Sequence, residues 1–93
     1  MKISYAITAH NEAEELNRLL KQLTEGKDAG DEILVQLDDK ATDKVKFVVD
    51  SHPVRSITFP LNNDFATFKN NLKLNCTGDY IFFIDADEYL SEH

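Results

Sequence analysis

Short apolar runs alternate with helical spacing along the whole chain. Residues 3–7 (Ile3-Ser4-Tyr5-Ala6-Ile7) form the first run and predict a strand. Leu16, Leu19, Leu20 and Leu23 then recur at three- and four-residue intervals, which marks one face of a helix. Asn11 is the expected cap of that helix, with Glu12, Glu14 and Glu15 as favourable charges in its first turn. Gly26 and Gly30 bracket a turn, and residues 32–37 predict a second strand ending on Asp38-Asp39. Residues 41–49 predict a second helix with Val45, Val48 and Val49 inward, against the weak helix propensity of β-branched residues. Pro53 breaks the chain, and residues 54–59 alternate as a third strand before Pro60. Asn63 or Asp64 caps a third helix whose Phe65, Phe68, Leu72 and Cys76 share a face, and Gly78 is expected to end it. Residues 80–84 are the most apolar run and predict a last strand buried on both sides.

The order is therefore β-α-β-α-β-α-β. It predicts an α/β fold with a parallel β-sheet, right-handed crossovers and helices on both faces. A parallel sheet gathers all strand C-termini along one edge. Those ends read Thr8-Ala9-His10-Asn11, Asp38-Asp39, Asn62-Asn63-Asp64 and Asp85-Ala86-Asp87. Polar and acidic groups thus collect where open α/β sheets bind ligands.

Composition narrows what that edge can hold. Ninety-three residues allow one small domain, and 42% hydrophobic content argues against disorder. Ten Lys and Arg against seventeen Asp and Glu give a net charge of −7, which disfavours nucleic acid and anionic membranes. The single cysteine, Cys76, rules out an internal disulfide and a Cys-built zinc site, and reads as a small buried apolar residue. No signal peptide is legible and no run approaches the roughly 20 apolar residues of a transmembrane segment. The expectation is a cytoplasmic domain.

Asp85 and Asp87 stand at i, i+2 where the chain leaves a strand, so in extended backbone both carboxylates point the same way. Their mutual repulsion is relieved by a divalent cation, and hard oxygen ligands select Mg²⁺ or Mn²⁺. A carboxylate of Asp38-Asp39 can accept hydrogen bonds from a ribose hydroxyl or a base N–H. His10 reads first as a structural hydrogen-bonder, and Lys69 as a solvated helical lysine able to meet a phosphate.

The segment Asn62-Asn63-Asp64-Phe65-Ala66-Thr67-Phe68-Lys69-Asn70, continued through Thr77-Gly78-Asp79-Tyr80 to Asp85-Ala86-Asp87-Glu88, resembles the central signature of family 2 glycosyltransferases. Lys69 stands at that family's usual Arg, Asn70 at its Asn, His10-Asn11-Glu12 at its Tyr-Asn-Glu, and Asp38-Asp39-Lys40-Ala41-Thr42-Asp43 at its Asp-Asp-Gly-Ser-Thr-Asp. The form of residues 64–65 and 85–90 is closest to lipopolysaccharide-core members. The resemblance implies the Rossmann-like, nucleotide-binding half of a GT-A fold, with a UDP- or GDP-linked sugar as ligand and Mn²⁺ or Mg²⁺ as cofactor. By carry-over, Thr8, His10, Asn11 and Glu12 would line the nucleotide pocket and Asp39 would contact the nucleoside. Asp85 and Asp87 would bind the diphosphate and the metal, Asp87 most directly through the metal, with Lys69 among the nucleotide-sugar-binding residues.

Thr8 replaces the family's usual Pro, and Lys40-Ala41 its Gly-Ser pair. Family members continue past Asp-x-Asp into an acceptor-binding half that supplies the catalytic base. No carboxylate in these residues matches that base, so the expectation is a donor-binding half in which the catalytic residue is unassigned. Two readings follow: a metal-dependent inverting glycosyltransferase, or a catalytically inactive nucleotide-sugar-binding module that self-associates or works with a partner chain. A phosphoacceptor receiver domain, also α/β, needs an acidic pair after the first strand, where this chain has His10-Asn11.

Overall fold

Strand and helix alternate in the predicted order in the computed structural model, which describes residues 1–85. The elements are β1 (Ile3–Ala9), α1 (Ala13–Gly26), β2 (Glu32–Leu37), α2 (Asp43–Asp50), β3 (Arg55–Thr58), α3 (Phe65–Asn75) and β4 (Tyr80–Asp85). Among the described residues the strands form one sheet in the order β3-β2-β1-β4, with every pairing parallel. The chain moves outward from β1 through β2 to β3, then returns to place β4 on the far side of β1. The strand order reverses between β1 and β4, which makes their C-terminal ends the switch point of the sheet.

Period-two alternation splits the strand residues between two cores. Ile7, Ile33, Val35, Leu37 and Ile84 face α1 and α2, where they meet Leu16, Leu19, Leu20, Leu23, Val45 and Val49. Ala6 and Leu34 face α3 through Leu72, with Ile57, Ile81 and Phe83 beside them. Helices therefore cover both faces, as predicted. With α1 and α2 on one face while the chain runs outward, and α3 on the other as it returns, all three crossovers share one hand, as the rule for parallel strands requires.

Three local expectations are corrected. The last strand is not buried on both sides: β4 lies at an edge of the described sheet, and its Tyr80 and Phe82 are 60% and 51% exposed. The doubly buried strand is β2, flanked by β1 and β3 and covered on both faces. Asn11 does not cap α1. The N-cap is Glu12, whose Oε1 turns back to accept the N–H groups of His10 at 2.8 Å and Asn11 at 3.2 Å. Nor does Gly78 terminate α3, whose C-cap is Cys76 in extended conformation. Glycine is required at 78 by space, because a Cβ there would lie 2.6 Å from Ser4 Oγ and 2.7 Å from Ser4 N.

The other caps follow the sequence. The Thr42 hydroxyl accepts from Val45 N, which starts α2 at Asp43 and leaves Ala41 free to pack in the core. The Asp64 carboxylate accepts from Thr67 N at 3.1 Å and Thr67 Oγ1 at 2.7 Å, and these bonds hold its pKa below the ordinary value. Cys76 is half-buried, its sulfur donates to Leu72 O, and burial pushes its thiol pKa up.

The N-terminal edge of the sheet is tied together by one carboxylate. Glu32 Oε2 accepts from Ser4 Oγ, Thr77 N and Thr77 Oγ1, while Oε1 takes the Arg55 guanidinium at 2.7 Å. Burial opposes the charge on Glu32, but these donors outweigh it and hold the pKa at about 2. Next to it, Lys2 N donates to Asp79 Oδ2 and Lys2 O accepts from Asp79 N, which pins the start of β4 to β1.

Candidate functional site

At the opposite edge, the strand C-termini converge on two adjoining cavities. The first, of about 450 Å³, has a polar floor of Thr8, His10, Glu12, Asp38 and Asp85, and an apolar wall of Leu61, Phe65 and Phe68. The second, of about 600 Å³, opens between Asp39, Lys40, Asn62 and Asn63. His10, Asp38, Leu61 and Asn63 border both. Volumes of this size suit a small ligand.

The walls are set by buried contacts below them. Gln36 is fully buried near the end of β2, donates to Phe68 O at 2.7 Å and accepts from Asn71 Nδ2 at 2.8 Å. Those two hydrogen bonds fix α3 against the sheet and carry Phe68 to the cavity. Phe65 and Phe59 each lie tilted against Phe68 with ring centroids 6.3 Å apart. Asn62 and Asn63 bring the loop over the cavities in left-handed conformation, with φ of 49° and 57°. Asparagine tolerates that region better than most residues.

Of the residues expected at the site, Thr8 and Asp85 are paired across β1 and β4, and Thr8 Oγ1 donates to Asp85 Oδ1 at 2.8 Å. Lys69, on α3, lies with its Nζ 4.6 Å from the Phe83 ring centroid, and it shares a small recess of about 90 Å³ with Thr8 and Asp85. His10 and Glu12 line the first cavity, whereas Asn11 is exposed and meets the site through its backbone N–H to Glu12. Asp39 is exposed and borders only the second cavity. Asp87 lies outside the described residues.

Asp38 is the residue that sequence reasoning left unassigned. It is buried, pairs with His10 Nδ1, and accepts from Lys40 N at 2.7 Å. Asn63, Phe65 and Phe68 were legible as helix cap and core, not as cavity walls, and Leu61 was not singled out.

Among the described residues no three metal-ligating side chains converge. Asp85 offers an exposed carboxylate beside the first cavity. That donor set fits a Mg²⁺- or Mn²⁺-type ion held by one or two carboxylates and completed by water and phosphate oxygens. It does not fit an all-protein cage.

A family model described as Glycosyl transferase family 2 matches residues 4–93. The chain belongs to glycosyl transferase family 2. No curated protein matches it. Family membership agrees with the parallel α/β sheet, and it divides the family 2 signature of this chain between two ends of the fold. Thr77-Gly78-Asp79-Tyr80 sits at the N-terminal edge, where it binds Glu32, Ser4 and Lys2. Asp85 sits at the C-terminal edge, beside the cavities. The first segment is structural and the second faces the cavities. No helix among the described residues is long and apolar enough to cross a membrane.

Proposed function

We propose that the paired cavities bind a nucleotide-diphosphate sugar together with a divalent cation, as the donor site of a glycosyl transfer. The observation that carries this reading is the convergence at one sheet edge of an aromatic wall, the pair of buried Asp38 with half-exposed His10, and the Thr8–Asp85 pair. Phe65 and Phe68 offer faces for a base, and the strand-end carboxylates and backbone offer acceptors for its N–H groups and for ribose hydroxyls. Asp39 borders the cavity that would hold the ribose.

Asp85 and Asp87 would hold Mn²⁺ or Mg²⁺, which when bound neutralises the charge of the departing diphosphate. Thr8 holds Asp85 in place through its hydroxyl. Lys69 adds a positive charge beside Asp85, but one lysine does not offset the acidic edge. Nucleotide-sugar binding is therefore metal-dependent. Calorimetric titration of UDP- and GDP-linked sugars with and without Mn²⁺, into the wild-type chain and Asp85→Asn, tests this. Binding that needs metal and is weakened at least tenfold by the substitution is expected. Equal binding after chelation removes the metal from the site.

A further inference from the structure

We infer that the groove between α1 and α2 is a self-association surface, which two copies of this chain share about a two-fold axis at Phe47. The inference is independent of the donor-site reading, because no residue lining this groove lines the cavities at the strand C-termini.

Helix α2 presents two opposite faces. Val45 and Val49 are buried in the core, so Phe47, midway between them, points the other way and is 73% exposed. A lone exposed Phe is ordinary. This one stands on the lip of a groove of about 530 Å³, whose apolar floor is Ala13 of α1 and Val48 of α2. Both floor residues rest on the core below. His52 Nε2 and Asn17 Oδ1 lie 2.9 Å apart, which ties the end of α2 to α1 and holds the groove's shape. A continuous apolar patch with a polar rim marks an interaction surface.

The occupant it fits is a second copy. An interface about a two-fold axis uses the same patch on both partners, so projection and recess must lie side by side. Phe47 supplies the projection, and the Ala13–Val48 floor supplies the recess. Charge argues the same way. Each copy carries −7, so two copies repel wherever their acidic surfaces meet. The rim of this patch is mixed instead, with Lys44 and Lys46 among Glu14, Asp43 and Asp50.

The order of those charges is self-complementary. Lys44 and Asp50 lie three residues before and after Phe47, about 4.5 Å along the helix axis in each direction. A two-fold axis at Phe47 that sets the two α2 helices antiparallel brings Lys44 level with Asp50 of the second copy. By symmetry it forms the same pair again on the other side. Among the described residues neither Lys44 nor Asp50 has an ion-pair partner in its own chain. A uniformly basic peptide would meet Lys44 and Lys46, and a uniformly acidic one Glu14, Asp43 and Asp50. The shared patch is small, and small interfaces associate weakly, so the dimer forms at high protein concentration.

Sedimentation equilibrium from about 10 μM to about 1 mM tests this. The wild type should pass from monomer to dimer over that range. Phe47→Asp should weaken association at least tenfold. Lys44→Glu sets two carboxylates level twice over and should weaken it about fivefold or more, and adding Asp50→Lys in the same chain should recover it. All three positions are exposed, so these variants keep the fold. Phe82→Asp, on exposed β4, should leave association unchanged and so separates this surface from pairing at the sheet edge. A wild type that stays monomeric throughout, a dimer kept in Phe47→Asp or lost in Phe82→Asp, or a double charge swap that fails to recover association overturns the inference.

Discussion

Replacing Glu32 by Gln should loosen the end of the sheet opposite the cavities, and the loss should depend on pH. Glu32 joins four segments: Ser4 on β1, Arg55 on β3, Thr77 before β4, and its own strand β2. Gln keeps the shape but has a single acceptor oxygen. It can face the Ser4 and Thr77 donors or the Arg55 guanidinium, and its NH₂ then opposes the other set. The carboxyl pKa falls from 4.5 to about 2 in the folded chain. That difference corresponds to about 3 kcal/mol in favour of the ionised form, which solvent around the half-exposed Arg55 reduces to about 2 kcal/mol. Because the folded pKa is depressed, this contribution is fully present above pH 4.5. It is lost as the pH falls toward 2, where the folded group also takes up its proton.

Urea denaturation followed by circular dichroism, on wild type and Glu32→Gln from pH 7 to pH 2.5, measures the gap between them. The gap should be about 2 kcal/mol at pH 7 and shrink steadily below pH 4.5. Other carboxylates titrate in the same range, but they are common to both proteins and cancel in the difference. A gap that stays constant down to pH 2.5 would refute the reasoning, since the loss would then come from shape and not from charge.

Gly78→Ala should destabilise by about 1–3 kcal/mol, because the new methyl meets the Ser4 backbone and hydroxyl in a site with no room to yield. A melting temperature unchanged from wild type would show that β1 and the turn before β4 can separate without cost. Leu72→Ala, at 0% exposure on the α3 face, should cost about 2–4 kcal/mol, whereas Leu74→Ala, at 83% exposure, should change stability by less than about 0.5 kcal/mol. Comparable losses in the two variants would mean that α3 does not sit on the sheet through Leu72.

The order of elements and the parallel sheet were legible because each strand is short and apolar and each helix has its own spacing. The place of β4 was not. Apolarity measures how much surface a strand could bury, and Tyr80 and Phe82 are as apolar on an edge as they would be inside. The converse holds for β2, whose Gln36 looks polar in sequence but is buried because Phe68 O and Asn71 satisfy its amide. At the ligand edge, Asp38 and Asp39 are adjacent, so they point in different directions, and only the packing of His10 and Lys40 decides which one is buried. Glu32 could not have been singled out from sequence. Its partners, at positions 4, 55 and 77, are brought together by the sheet register. The place of Asp85 at the end of a strand was legible from the apolar run before it, whereas Asp87 lies outside the described residues.

The most direct measurement of the proposed donor site is the paramagnetic effect of Mn²⁺ on the amide resonances of the ¹⁵N-labelled chain in the presence of UDP. Broadening should centre on residues 85–88 and extend to Thr8, which is hydrogen-bonded to Asp85, and to the neighbouring β1 end. That broadening should be abolished by Asp87→Ala. Broadening spread over the acidic surface, and unchanged in Asp87→Ala, would contradict a metal-assisted nucleotide site at this edge.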